Sequence, residues 1–229
     1  MKRELEILAD QGLNVFACAA VSDLPGDLQR HLPAGYRSLL VFGHGGRRLW
    51  ETLPQPLDPA QHPIDHYAVE NVRWFAREAL EDPEPLLLFP FSRTVVPLQR
   101  LGRALNLSRP SWLGLDIHPE FGLWFAYRAV VLTRRAVEPT RRPDFATPCD
   151  SCPDKPCRSA CPVEAAGSPF DLRACADHRL SEHSPCAELC PSRLACPYQS
   201  QHRYSEAQMR YHMGRPAHRE TLAAYKSRP

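Results

Sequence analysis

The sequence predicts an α/β domain followed by a small cysteine-rich module. Three observations point there. Apolar runs that read as strands alternate with helical patterns from residue 1 to about residue 135. A proline- and arginine-rich stretch, Glu138 to Pro148, then breaks the pattern. Eight of the nine cysteines follow it, between Cys149 and Cys196. The division therefore falls into segments 1–137 and 138–229.

Within the first segment, Glu4 to Gln11 suits a short helix and Asn14 to Val21 an apolar strand. Asp23 to His31 reads as helical and Ser38 to Phe42 as a buried strand. Gly43-His44-Gly45-Gly46 ends that strand as a loop. A glycine loop in this place can cradle phosphate. The dinucleotide pattern G-x-G-x-x-G is absent, however, and a tight turn is the plainer reading. Asp65 to Glu81 is the clearest helix, because Val69, Val72, Ala76, Ala79 and Leu80 recur at helical spacing. Pro63 precedes it as a start signal and Asp65 is its expected N-cap. Leu86 to Phe89 is a strand and Val96 to Leu105 a helix. Leu113 to Ile117 and Leu123 to Leu132 are strands flanking the turn His118-Pro119-Glu120-Phe121-Gly122. Such alternation predicts a sheet with helices packed on it. A tail from Ser205 to Tyr225 reads as helical, with His202, His212 and His218 expected among its solvated residues.

Composition narrows the function. At 229 residues and 43% hydrophobic, the chain is long enough and apolar enough for a sizeable core. The formal net charge is +2 with no block of like charge, so no nucleic-acid partner is expected. No run of 18 apolar residues exists, and Glu4, Glu6, Asp10 and Gln11 interrupt any leader-like apolar stretch at the start. These features read as a cytoplasmic protein with no membrane partner. In a reducing compartment, crowded cysteines point to metal rather than disulfides. Cys18, alone in an apolar strand, reads as an inert core residue.

The metal type follows from spacing. Cys149-x2-Cys152-x4-Cys157-x3-Cys161-Pro162 is close to the bacterial ferredoxin run C-x2-C-x2-C-x3-C-P, in which the fourth cysteine serves a different cluster. The departure is two extra residues within Pro153-Asp154-Lys155-Pro156, a loop short enough to bulge outward. Cys186-x3-Cys190-Pro191 and Cys196-Pro197 repeat the theme, with Cys175 between the halves. Structural zinc also takes four thiolates, but as paired C-x2-C knuckles, and only Cys149 and Cys152 form one. Iron–sulfur is therefore favoured over zinc. Eight ligands suffice for two [4Fe–4S] clusters; one cluster with spare structural cysteines is the alternative. So dense a set of prolines and cysteines leaves little apolar core, so metal has to supply stability.

Two resemblances extend this reading. The segment CDSCPDKPCRSACPVEAAGSPFDLRACADHRLSE, followed by CAELCPSRLACP, resembles the double-cluster module of the epoxyqueuosine reductases. Those enzymes and the reductive dehalogenases pair two [4Fe–4S] clusters with a cobalamin-binding domain. His62 to Val72 (HPIDHYAVENV) and Gly114 to Leu132 (GLDIHPEFGLWFAYRAVVL) resemble the cobalamin processing and trafficking family of the methylmalonic aciduria and homocystinuria type C protein. That family lacks the cysteine segment. The resemblances imply a nitroreductase-like domain over 1–137 that binds cobalamin with its lower arm detached, joined to a small ferredoxin-like module over 138–229. They imply an oxidoreductase of the cobalamin reductase or decyanase type, which reduces cobalamin, removes its upper axial ligand and takes electrons from an upstream donor. They also imply that Cys149, Cys152 and Cys157 share a cluster with Cys196, and Cys161 with Cys175, Cys186 and Cys190. The alternatives are a corrinoid-dependent reductase of a separate organic substrate, or a cobalamin or electron carrier without activity.

The candidate cofactor contacts lie around the second match: His118, Pro119, Phe121, Gly122, Trp124, Tyr127 and Arg128. His118 stands at a strand end, where sites gather in α/β folds; the plainer reading is a turn histidine bonded to backbone. Leu123, Trp124 and Tyr127 offer an apolar floor for a corrin, although aromatic residues in a strand, Phe125 among them, are usually core. Arg128 inside an apolar strand needs a partner, either a carboxylate or a bound group. Asp116 reads as an edge carboxylate.

Overall fold

The computed structural model describes residues 1–92 and 95–226, so the last three positions of segment 138–229 lie outside the described residues. Its strands are β1 (Val15–Ala20), β2 (Ser38–Gly45), β3 (Leu86–Phe89), β4 (Arg109–Pro110), β5 (Asp116–Ile117) and β6 (Phe125–Thr133). Its α-helices are α1 (Lys2–Asp10), α2 (Gly26–Gln29), α3 (Arg48–Thr52), α4 (Pro63–Leu80), α5 (Leu98–Ala104), α6 (Pro148–Ser151), α7 (Pro156–Ser159), α8 (Leu172–Leu180), α9 (Pro191–Ala195), α10 (Glu206–Gly214) and α11 (Pro216–Lys226). The chain forms two compact units. One comprises residues 1–54, 62–108 and 125–145; the other comprises residues 55–61, 109–124 and the chain from Ala146 onward.

The first unit is built on a four-stranded antiparallel sheet in the order β1-β2-β6-β3. All eight residues of β2 are buried, as are all but one of β6, so these central strands are apolar on both faces. α4 supplies the helical layer. Its buried Ile64, Ala68, Val72, Phe75 and Ala76 recur every three or four residues and form one stripe. From that stripe Ala68, Val72 and Phe75 join Leu8, Leu13, Cys18, Leu40, Phe42, Ala129 and Val131 in a single core, where the rings of Phe42 and Phe75 meet edge-on at 5.3 Å.

Among its described residues the second unit has little sheet, the β4–β5 pair and an isolated bridge between His118 and Gly122. Two small apolar groups organise it instead. Leu113, Ile117, Leu123 and Ala166 pack with Cys157, Cys161, Cys196 and Tyr198. Trp124, Tyr204, Met209 and Met213 pack with Leu189, Cys190 and Leu194.

Several expectations are corrected. Gly43-His44-Gly45 is no loop: β2 runs through it to Gly45, and the turn begins only at Gly46 (φ 71°). The helix expected over Asp23 to His31 is broken by Pro25 into a 3-10 turn (Val21–Asp23) and the single turn of α2. The strand expected over Leu113 to Ile117 shrinks to β5, because Gly114 takes φ 67° and the chain turns there. Asp65 lies inside α4, and His62 takes the N-cap position. Asp116 is buried rather than at an open edge. The tail is not a solvated helix either: α10 buries Gln208, Met209, Tyr211 and Met213.

Candidate metal centres

Proline positions most of the clustered cysteines. Pro148, Pro156 and Pro191 each start a short helix, where a fixed φ is already helical and the missing N–H would have no partner anyway. The first turns of α6 and α7 carry Cys149 and Cys157, while Cys190 and Cys196 flank α9. Cys175 lies within α8, whose N-cap Asp171 accepts from the Ala174 N–H at 2.9 Å. Pro153 and Asp154 are exposed, so the two extra residues of the ferredoxin-like run do bulge outward.

The eight thiols fall into two groups. Cys149, Cys152, Cys157 and Cys196 line one partly open pocket, together with Trp112, Ile117, Pro148, Pro156, Pro197 and Tyr198. Cys161, Cys175, Cys186 and Cys190 form the other group, each close enough to affect its neighbours' ionisation. This is the partition that the resemblance implies, with Cys161 separated from the three cysteines that precede it. Cys18 stands apart from both, buried in the sheet of the first unit.

Burial raises the thiols of Cys149, Cys157, Cys175, Cys186 and Cys196, and neighbouring thiols raise them further. Cys175 is pushed up to about 11. Cys161 goes the other way. Burial raises it, but the backbone N–H groups of Val163, Ala166 and Ala165, with the Ser192 hydroxyl, outweigh burial and lower it. Backbone groups of Trp112, Arg158 and Tyr198 likewise bond the sulfurs of Cys149, Cys157 and Cys196. Four thiols walled by apolar side chains and hydrogen-bonded at sulfur are the donor set an iron–sulfur cluster takes. In donor chemistry the residues present fit such a group, although no three His, Cys, Asp or Glu side chains among the described residues converge closely enough to hold a single metal ion.

Sequence reasoning passed over two kinds of residue here. Trp112 and Ile117 precede the cysteine segment by about 30 residues, yet they wall the first thiol cavity. Arg179 and Arg193 lie inside that segment, the first buried and the second half-buried. An arginine among closely spaced cysteines was the available signal.

No family model matches the chain, and no curated protein does. Solved structures do. The chain shares its fold with epoxyqueuosine reductase. A selenomethionine-labelled epoxyqueuosine reductase matches with TM-score 0.59 at 11% identity, covering 89% of this chain and 66% of that one. The Bacillus subtilis enzyme matches with TM-score 0.60 at 13% identity, covering 90% and 66%. A third epoxyqueuosine reductase, solved with a modified tRNA-Tyr stem loop, matches with TM-score 0.58 at 11% identity, covering 92% and 68%. The chain thus spans about two thirds of the length of these structures.

The candidate cofactor contacts are divided between the two units and are mostly enclosed. In the second unit, His118 Nδ1 accepts from the backbone N–H groups of Glu120 (3.1 Å) and Phe121 (3.3 Å), which is the geometry of a turn histidine. Phe121 stacks on His118 and meets His202 edge-on. The half-buried Pro119 offers its carbonyl to Tyr198 and Gln199. Gly122 takes φ 59°, and a Cβ on it would lie 2.7 Å from the Tyr198 carbonyl oxygen. Trp124 is fully buried against Tyr204. In the first unit, the Tyr127 hydroxyl bonds Ser108 at 2.9 Å. Arg128 donates from Nε to His44 Nδ1 at 2.9 Å and pairs with Asp65 at 3.5 Å. His62 stands 3.8 Å from the other Asp65 oxygen. Six of the seven are buried and Pro119 is half-buried. No helix among the described residues is long and apolar enough to cross a membrane.

Proposed function

We propose that the chain is an iron–sulfur oxidoreductase holding two [4Fe–4S] clusters, one on Cys149, Cys152, Cys157 and Cys196 and one on Cys161, Cys175, Cys186 and Cys190. The observation that carries this reading is the gathering of eight thiols into two groups of four. Such clusters supply one-electron transfer. The chain's residues hold the sulfurs, hydrogen-bond them and exclude water with Trp112, Ile117 and Tyr198 around the first group and Met209 and Met213 beside Cys190.

The finer reading is that the substrate is a cobalamin, reduced and relieved of its upper axial ligand. It rests on the match over Gly114 to Leu132 and on the nitroreductase-like and ferredoxin-like arrangement that the two resemblances imply, supported by the fold shared with epoxyqueuosine reductase. His118, Phe121, Trp124, Tyr127 and Arg128 then act as a supporting layer, holding the backbone of the turn and of β6. A second reading, reduction of a separate organic substrate, is favoured by the same neighbours, one of which was solved with tRNA.

The test is anaerobic reconstitution followed by iron and sulfide analysis. About eight iron atoms per chain and broad absorbance near roughly 400 nm are expected. A colourless protein with stoichiometric zinc would overturn the cluster reading. Adding hydroxocobalamin to the dithionite-reduced, desalted protein separates the finer readings. Rapid reduction of cobalamin alone supports the first. Tight binding of an epoxyqueuosine-modified stem loop supports the second.

A further inference from the structure

The second thiol group is accompanied by one buried and one half-buried arginine, neither of which pairs with a carboxylate among the described residues. Arg179, on α8, is 9% exposed. Its guanidinium donates to the carbonyls of Cys186 (3.2 Å), Ala187 (3.4 Å) and Met213 (3.2 Å). Its remaining contact is His218 Nε2 at 3.4 Å. Arginine only donates, so that nitrogen accepts, and the His218 proton sits on Nδ1 facing the His212 carbonyl. His218 is thus neutral and brings no negative charge. Arg193, on α9, lies over the rings of Trp124 (4.8 Å) and Tyr204 (5.0 Å) and bonds the Leu123 carbonyl. Among the described residues, neither arginine forms a salt bridge with Asp or Glu.

A buried cation without a counter-ion is expensive, and such charges are found paired or beside a metal centre. The acidic groups facing Arg179 are cysteines: Cys175, Cys190 and Cys186 favour its charged form. Tyr204 and then Cys190 favour that of Arg193. The first thiol group is furnished differently. Its nearby cations are more open to solvent: half-buried Lys155, with the ammonium held over Trp112 and bonded to the Cys152 carbonyl, and exposed Arg158, 5.5 Å from the same ring. Asp150 stands close by with the opposite sign. Both groups receive hydrogen bonds at sulfur, so fixed charge is what distinguishes them.

We propose that Arg179 and Arg193 are the built-in counter-charges of the cluster on Cys161, Cys175, Cys186 and Cys190, and that they raise its reduction potential above that of the cluster on Cys149, Cys152, Cys157 and Cys196. This rests on the two-cluster reading above. Adding an electron makes a thiolate-bound cluster more negative, so a fixed neighbouring cation stabilises the reduced form. An electron from a one-electron donor then resides on the second cluster and leaves the first oxidised. Net charge, cluster composition and exposure are the levers involved, and here the sequence sets the first of them.

The experiment is an EPR-monitored redox titration of the reconstituted full chain, comparing wild type with Arg179→Gln, Arg193→Gln and the corresponding lysine variants, with iron content measured in each. Two midpoints are expected in the wild type. Each glutamine variant lowers the higher midpoint, shifting electron occupancy between the clusters by about tenfold, or about 59 mV for one electron. The lysine variants keep the wild-type value. Equal shifts of both midpoints, no shift, or lysine variants as low as glutamine ones would overturn the proposal. Should the glutamine variants lose iron, the lysine variants decide it: wild-type midpoints sustain it, and a lowered one overturns it. A wild type that binds zinc or no iron sinks the cluster reading itself, which the iron analysis reports before any potential is measured.

Discussion

Arg128, Asp65 and His44 form a buried polar group inside an otherwise apolar core. Arg128 is 6% exposed and His44 fully buried, and Arg128 reaches both His44 and Asp65. Removing the cation while leaving Asp65 buried should cost about 3–5 kcal/mol, as is typical of broken buried pairs. Arg128→Met should show this as a lowered denaturation midpoint; an unchanged midpoint would mean that the pair contributes nothing. Cys18 offers a separate test. Burial pushes its thiol up to about 12 from an ordinary 9.0, which leaves about a thousandfold less thiolate at mildly alkaline pH. The unfolded thiol ionises near 9 and the folded one near 12, so this residue's contribution to stability is intact below pH 9 and declines above it. Iodoacetamide at pH 8.5 should leave Cys18 unmodified in the native protein and label it after denaturation, as read by peptide mass spectrometry. Neither Arg128's partner nor His44's role was legible in sequence. An arginine within an apolar strand announces that a partner is needed, but Asp65 and His44 lie about 60 and 80 positions away, and only the fold brings them together.

β2 shows why glycine misleads at the level of elements. Gly43-His44-Gly45 carries the composition of a turn, yet it extends a central strand. The register between β2 and β6 slips between Phe42 and Gly43, marking a bulge or irregularity. A Cβ on Gly43 would lie 2.7 Å from the Ala126 carbonyl oxygen and 3.3 Å from the Val15 Cβ, so both neighbouring strands approach the bare backbone. Gly43→Val should therefore destabilise the sheet by roughly 1–3 kcal/mol through overpacking; a neutral denaturation midpoint would show that the strands can spread. The elements that were legible, α4, β3 and the start of β2, owe it to long or pure apolar patterns. Those misjudged, α2 and β5, were cut short by Pro25 and Gly114, where backbone geometry overrides side-chain pattern. In the cysteine segment the spacing alone indicated metal, and the prolines that start α6, α7 and α9 explain how so little apolar sequence holds its shape.

The two units should respond differently when metal is withdrawn. The first has a continuous apolar core and no clustered cysteines, while the second has only small apolar groups beside its thiols. Extraction of iron by a chelator under reducing conditions should abolish hydrogen-exchange protection in α8 to α10 while β2 and β6 stay protected. Equal loss in both units would show that they depend on one another for stability. Residues 109–124 belong by packing to the second unit although they precede β6 in the chain. A fragment of residues 138–229 would therefore lack Trp112, Ile117, Leu123 and Trp124, and is expected to bind iron more weakly than the whole chain; matching iron content would refute that.

This interleaving also sets an order of events during synthesis. β2 waits for its partner β6, so the sheet closes only after residue 133 has left the ribosome. By then residues 109–124 have emerged with their own partners still unmade, and they stay so until the stretch around Cys196 to Tyr204 follows. On the two-cluster reading proposed above, the nascent chain would carry a completed sheet and an unfinished cysteine segment at once, an interval in which iron and sulfide would meet an open site.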